Sequence, residues 1–278
     1  MKSKHTARSN LQSAPLPSVS RRNFLEASAA VAGMAFVSPN LMGEEPATPT
    51  PSDLVPGKDN RLVVRKVDPI VMGAPDTLLR EKRLTPKQFL FVRNNYMLEG
   101  FMNLDPKPLK GWTVEFTGHL AKTKTLNATE LEDLPHVEHE LVLQCSGNGR
   151  SLFSKFATTT GTQWGRGAVG NVRFAGVTLN TVLKHLGIKP TDAARFLTAE
   201  GVDAPATPDS PDFEHSILLS EALDRSLLAT HMNGEPIPAV HGGPVRLITP
   251  GYYATMNVKW VTRLRFESDE TSNEFQIP

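Results

Sequence analysis

The sequence is poor in cysteine: Cys145 is the only one in 278 residues. No internal disulfide can form, and a zinc site built on several thiolates is excluded. A Cys-x-x-Cys-His haem attachment is absent for the same reason. Charge of one sign is also missing, since 30 Lys and Arg stand against 29 Asp and Glu. The chain therefore has no broad field to draw it to nucleic acid or an anionic membrane surface. No stretch supplies the roughly 20 apolar residues that a stable membrane span needs. No repeat of about 20 residues recurs, which argues against a solenoid. What is abundant is punctuation: 22 prolines and 20 glycines mark many turns and loops.

The first residues read as an address. Ser20-Arg21-Arg22-Asn23-Phe24-Leu25 precedes a short apolar, alanine-rich stretch at 27–37. A basic start with a short apolar core makes an export signal and not a span. The paired arginines resemble the twin-arginine signal, whose route carries folded proteins and suits enzymes that load a cofactor before export. The expectation is a signal segment at 1–43, a disordered proline-rich leader at 44–60, one domain at 61–278, and a periplasmic destination. In an oxidising compartment a lone thiol is a hazard unless it is buried or holds a metal.

Residues 61–110 read as mostly irregular, because Pro69, Pro75, Pro86, Pro106 and Pro108 interrupt any long element. Thr85-Pro86 offers a helix start before the apolar run 89–92. Strands are predicted at 112–118, 140–144, 196–199, 245–249 and 258–264, the last two around a Pro250-Gly251 turn. A short helix is predicted at 129–135, another at 177–186 closed by Gly187, and a third at 218–228 capped by Ser216 or Ser220. The result is an α+β domain of mixed sheets, short helices and long loops.

The most informative stretch is Gln144-Cys145-Ser146-Gly147-Asn148-Gly149-Arg150. A strand delivers a thiol into a glycine-rich loop, where backbone N–H groups can converge on one ligand. Arg150 adds a fixed positive charge suited to an oxyanion. Three readings stand on these residues alone: a thiolate metal ligand, a cysteine nucleophile, or a structural turn. His136 and His139 precede the strand, with no evident geometry for a base.

This loop resembles the cysteine loop of the sulfite oxidase family, and four further segments resemble that family in the same order. They are Phe91-Val92-Arg93-Asn94-Asn95; the stretch from Trp164 through Arg173 and Phe174 to Val177; His241-Gly242-Gly243-Pro244-Val245-Arg246; and the stretch from Pro250 and Gly251 to Asn257, Val258, Lys259 and Trp260. The resemblance implies a sulfite-oxidase-type molybdopterin-binding domain. It implies that Cys145 binds molybdenum carried on a pterin cofactor. His241, Arg246 and Lys259 would take the pterin phosphate, and Phe91, Val92, Arg93, Asn94, Asp203, Asn257 and Val258 would surround the pterin. Arg93 and Arg150 would hold sulfite, with Trp164 as a wall; Arg166 and Arg173 stay open between pocket and structural roles. The implied reaction is oxygen-atom transfer from sulfite to sulfate, with electrons passed to an external acceptor such as a c-type cytochrome. On the same cofactor, reduction of an oxidised sulfur compound such as methionine sulfoxide is the alternative, and a cofactor-less binding module is another.

The match departs from the family pattern in places. Gly149 stands where a basic residue is usual, Ala254 replaces a glycine, and Thr255-Met256 replace small and basic residues. These departures bear on sulfite specificity more than on metal binding. The chain ends at Pro278, before the family's β-sandwich dimerisation domain and its substrate-site tyrosine would be expected. The expectation is thus a monomer without that domain.

Overall fold

A computed structural model describes residues 48–205, 207, 210–273, 275 and 276. The export-like segment and the first part of the expected leader lie outside them. Within the described residues, short strands make three sheets. β1 (Val63–Val67), β2 (Ile70–Gly73) and β3 (Val92–Arg93) form the first, with β2 in the middle and both pairings antiparallel. The second contains β6 (Val137–Gln144), β7 (Val169–Thr178), β10 (Leu227–Met232) and β11 (Glu235–Pro236), in the order β11-β10-β7-β6, with β12 (Arg246–Ile248) also paired to β10. The third contains β4 (Thr113–Gly118), β5 (Lys124–Asn127), β8 (Phe196–Gly201), β9 (Glu214–Leu218) and β13 (Val261–Glu267), in the order β5-β4-β13-β8-β9. Only β4 and β13 run parallel in it.

Alternation explains the third sheet. Val114, Phe116, Leu264 and Phe266 bury one face. On the other face, Arg263 and Arg265 pair with Glu115, Glu200, Glu214 and Glu267 at 2.5–3.3 Å. Two helices cover the apolar face: α3 (Leu179–Leu186) buries Leu179, Val182 and Leu183, and α4 (Leu219–Arg225) buries Leu219 and Ala222. Both sets fall at the spacing of a helical stripe. Two shorter helices, α1 (Pro51–Leu54) and α2 (Asp76–Leu79), lie near the first sheet's sequence. No described helix is long and apolar enough to cross a membrane.

Several elements differ from expectation. The leader reading fails from residue 48 onward. Thr50 and Asp53 form a reciprocal capping box on α1, Val55 is fully buried and Lys58 is only 3% exposed. The region 61–110 contains a sheet that the proline count concealed. β1 is mostly exposed and β2 wholly buried, so neither shows alternation. Thr85-Pro86 opens a single turn, with Phe89 and Leu90 N–H groups donating to the Pro86 carbonyl, and the chain then extends into β3. The short helix read at 129–135 is a 3-10 helix at Ala128–Asp133.

The predicted helix at 177–186 begins two residues late, because Val177 pairs with Leu228 across the sheet and Thr178 caps the helix by accepting the Thr181 N–H at 3.2 Å. The helix read at 218–228 stops at Arg225. Ser226 donates or accepts at Thr249 Oγ1, 2.8 Å away, and Leu227 and Leu228 enter β10. Neither Ser216, inside β9, nor Ser220, inside α4, is its N-cap.

β7 as a whole escaped the sequence pattern although its burial alternates cleanly. Two of its inward positions are Gly170 and Gly176, which carry no apolar side chain to signal a strand. At Gly176 a Cβ would penetrate the Leu228 carbonyl and the Ala229 Cα of the neighbouring strand. Gly176→Ala is therefore expected to destabilise the fold by about 1–3 kcal/mol, the usual cost of overpacking, read as a lower denaturant midpoint.

Candidate functional site

Cys145 follows the last residue of β6 and is 7% exposed. Its N–H donates to the Ala168 carbonyl at 2.9 Å, and its carbonyl accepts the Asn148 N–H at 3.0 Å. The loop is laced to the 164–168 segment. Gly149 N–H donates to Gly165 O, Ser151 N–H to Trp164 O, and Ala168 N–H to Asn148 Oδ1. Gly149 occupies a left-handed conformation (φ +86°), which favours glycine over the basic residue of the family pattern. Arg150 folds back between Gly147 and Gly161 and donates to the Thr162 carbonyl at 3.3 Å; a Cβ on either glycine would strike its guanidinium. Trp164, 1% exposed, meets Phe91 edge to face at 6.2 Å. Arg93, on β3, donates to the Asn94 carbonyl. Burial pushes the Arg93 pKa down, while the neighbouring Cys145 pulls it up and Arg150 lowers it further. A thiol and two guanidinium groups thus share one cavity.

Elsewhere in the cavity positive charge accumulates. His241, Arg246 and Lys259 line it, and Lys58 lies against His241. Lys58 Nζ meets the Lys87 and Leu90 carbonyls, each at 2.6 Å, and His241 Nε2 at 2.8 Å. Arg246 donates to the Asn257 carbonyl at 3.0 Å and the His241 carbonyl at 2.8 Å, with its guanidinium 5.7 Å from the Phe174 ring centre. Lys259 donates to Asn94 Oδ1 and to the Val240 carbonyl, and its ammonium lies 3.9 Å from the Trp260 ring centre.

Burial pushes Arg246 down to about 9, which leaves it charged at neutral pH. Lys58, Lys259 and His241 are driven well below their ordinary values, first by burial and then by one another's charge or that of Arg246. Among the described residues, the one carboxylate that acts on this group is Asp203, itself raised to about 6 by burial against the pull of Lys259. Buried charge of one sign is costly unless a counterion is supplied. The donor set fits an anionic group such as a phosphate.

The residues singled out from the sequence do not all play the same part. Phe91, Val92, Arg93, Cys145, Arg150, Trp164, Asp203, His241, Arg246, Asn257 and Lys259 line one cavity. Asn94 acts through Lys259. Asn257 braces its own turn, its side chain accepting from Thr249 N–H at 2.7 Å and donating to the Tyr253 carbonyl at 2.8 Å. Val258 belongs to the large core, its carbonyl accepting the Leu247 N–H, and it does not line the cavity. Arg166 lines a separate cleft beside Gly73 and Asp76, and Arg173 lies 3.6 Å from Glu140, so neither reaches the site. His136 bonds to the Leu131 carbonyl and is outside the cavity, as is His139, so the nucleophile reading gains no base from them.

Sequence reasoning missed Lys58, Phe213, His215 and Phe275. Lys58 sat in a polar, proline-rich stretch that reads as solvated. Phe213 precedes β9 and His215 lies within it, a stretch not read as a strand from the sequence, and no motif drew attention to them.

Among the described residues no three His, Cys, Asp or Glu side chains converge as a metal site. A metal held by Cys145 would therefore take its other ligands from a bound group. The cation cluster suits that group's phosphate, and a thiolate is a soft metal ligand, as the molybdenum that the resemblance implies would need. Because an anion raises the depressed pKa values around it, binding takes up protons, and affinity falls as pH rises through those values. Inorganic phosphate is expected to bind the cofactor-free protein more weakly as the pH is taken from neutral to alkaline, with proton uptake visible by calorimetry in buffers of different ionisation heat. Affinity that rises with pH would contradict the cluster's role.

The description "Oxidoreductase molybdopterin binding domain" matches residues 102–275. Phe91, Arg93 and Lys58 precede that segment. Mitochondrial sulfite oxidase of Mus musculus is 32% identical over 243 residues, covering 86% of this chain and 42% of that protein. The Homo sapiens enzyme is 32% identical, covering 80% of this chain and 40% of that protein. Inducible nitrate reductase [NADH] 2 of Glycine max is also 32% identical, over 71% of this chain and 22% of that one. The chain thus spans less than half the length of these relatives. The solved sulfane dehydrogenase SoxCD of Paracoccus pantotrophus shares the fold, with a TM-score of 0.60 at 24% identity, covering 73% of this chain and 48% of that chain. With its cysteine loop, cation cluster and mixed sheets in place, the chain belongs to the oxidoreductase molybdopterin-binding domain family, that of the sulfite oxidases.

Proposed function

We propose that this chain is a molybdenum–pterin oxidoreductase that oxidises sulfite to sulfate. The observation that carries the reading is the juxtaposition in one cavity of Cys145, the guanidinium groups of Arg93 and Arg150, and the hydrogen-bond donors His241, Arg246 and Lys259. Cys145 would supply the protein's thiolate to the metal. Arg246 and Lys259 would neutralise the pterin phosphate and His241 would donate a hydrogen bond to it; Asn94 and the Val240 carbonyl hold Lys259 in place, and Phe91 and Val92 line the same cavity. Bound there, the group supplies two-electron oxygen-atom transfer at sulfur.

Sulfite is a small oxyanion, so its site needs convergent positive charge. Arg150 supplies it from a backbone cradle that limits its rotamers, and Arg93 from the edge of the first sheet. Trp164 and Phe91 exclude water beside the thiol and strengthen these attractions by lowering the local dielectric. Electrons would leave singly to an external carrier, for which a c-type cytochrome is the partner expected. Export by the twin-arginine route to the periplasm completes the proposal. Replacing Arg21 and Arg22 by lysine is expected to leave the protein in the cytoplasm; unchanged export would remove that part.

Two variants test the chemistry. Cys145→Ser is expected to lower molybdenum content or sulfite-dependent ferricyanide reduction by more than about 100-fold, since even supporting groups around metals are worth 10–100-fold. Wild-type rates in that variant would refute the ligand assignment. Arg150→Gln is expected to keep its molybdenum while kcat/KM for sulfite falls about 10- to 100-fold, the worth of one charge-assisted hydrogen bond. A loaded chain that ignores sulfite and reduces methionine sulfoxide would move the substrate assignment.

A further inference from the structure

One buried nitrogen is left without a partner. Among the described residues, His215 Nε2 is the only fully buried side-chain nitrogen or oxygen lacking a hydrogen bond. His215 lies in β9, is 4% exposed, and forms part of the wall of the Cys145 cavity together with Asp203, Phe213 and Phe275. Leaving such an atom unpaired costs about 1–3 kcal/mol. Unpaired buried groups in folded proteins usually mark a ligand, an ion or a water.

The other ring nitrogen decides what Nε2 can do. His215 Nδ1 lies 2.7 Å from Gln276 Oε1. That amide cannot turn over freely, because Oε1 also accepts the Ser216 N–H at 3.2 Å while Nε2 of Gln276 donates to the Ser216 carbonyl at 3.2 Å. The oxygen therefore faces the imidazole, and His215 Nδ1 must carry the proton. Burial keeps the ring neutral by pushing its pKa down. Phe213 holds its orientation, edge on at 5.0 Å and 80°. Nε2 is thus a lone-pair acceptor set by its surroundings, and His215 lines the same cavity as Asp203. The Lys58, His241, Arg246 and Lys259 cluster offers donors to an anion. Asp203 and His215 offer acceptors to N–H groups.

We propose that His215 Nε2 accepts a hydrogen bond from a ring or amino N–H of the heterocycle bound in this cavity, so that His215 and Asp203 read the donor edge of the pterin while the cation cluster reads its phosphate. This rests on the molybdenum–pterin reading above. Gln276 is then a positioning residue, acting on the ligand only through the tautomer of His215.

The test uses the full chain, produced with and without the pterin pathway, and compares the imidazole nitrogens of 15N-histidine-labelled protein, with His215→Gln identifying the resonance. In the cofactor-free chain His215 is expected to show a protonated Nδ1 and a free Nε2. In the loaded chain Nε2 is expected to shift as it accepts a proton donor. His215→Leu is expected to lose pterin roughly 10- to 100-fold faster on dilution, and His215→Gln, whose amide oxygen can replace the acceptor, to recover most of that loss. A protonated Nε2 in the cofactor-free chain, an unchanged Nε2 on loading, or equal pterin retention in His215→Leu and the wild type would each overturn the proposal. Failure of the wild-type chain to load any pterin would instead remove the reading on which it rests, while the tautomer remains measurable.

Discussion

The constraint on which the site depends is buried positive charge. Lys58, His241 and Arg246 are almost wholly withdrawn from water, Lys259 is half-buried beside them, and among the described residues Asp203 is the one acidic group that acts on this cluster. Such an arrangement persists only because the fold elsewhere is stable enough to carry it. Backbone carbonyls take part of the load. Lys87 and Leu90 serve Lys58, His241 and Asn257 serve Arg246, and Val240 serves Lys259. The rest of the compensation belongs to an anion.

The three sheets bring these groups together from distant parts of the chain. Arg93 comes from β3, Cys145 from the end of β6, Arg246 from β12, Asp203 from just past β8 and Lys259 from just before β13. Each lies in or next to a strand, where backbone pairing fixes its Cα. A site mounted this way depends on strand register more than on loop conformation. The Arg263 and Arg265 ladder against Glu115, Glu200 and Glu214 helps hold β13 between β4 and β8. Gly176 allows the close approach of β7 and β10.

Legibility varied with the kind of signal. The loop at Cys145 was readable because glycine, asparagine and a lone cysteine at a strand end are rare in combination. The helix at α3 was readable from its apolar stripe and from Gly187, though its first turn was misplaced where Thr178 changes from strand to cap. β7 was not readable, since glycines occupy the positions where a strand normally shows apolar side chains. Lys58 was not readable either. A lysine in a polar, proline-rich stretch looks solvated until the rest of the fold closes over it.

The amino-acid sequence by itself determined the kind of chemistry available: one thiol, arginines in short motifs beside it, and a later set of basic residues suited to a phosphate. It determined the α+β class as well, because local alternation and turn residues are properties of neighbouring positions. Only the tertiary structure decided which of those residues face one cavity, that Val258 turns into the core, that Asn94 works through Lys259, and that Lys58 and His215 belong to the site. The physical reason is that burial and pairing between groups more than a hundred residues apart follow from strand register and packing, which leave no pattern in the local sequence.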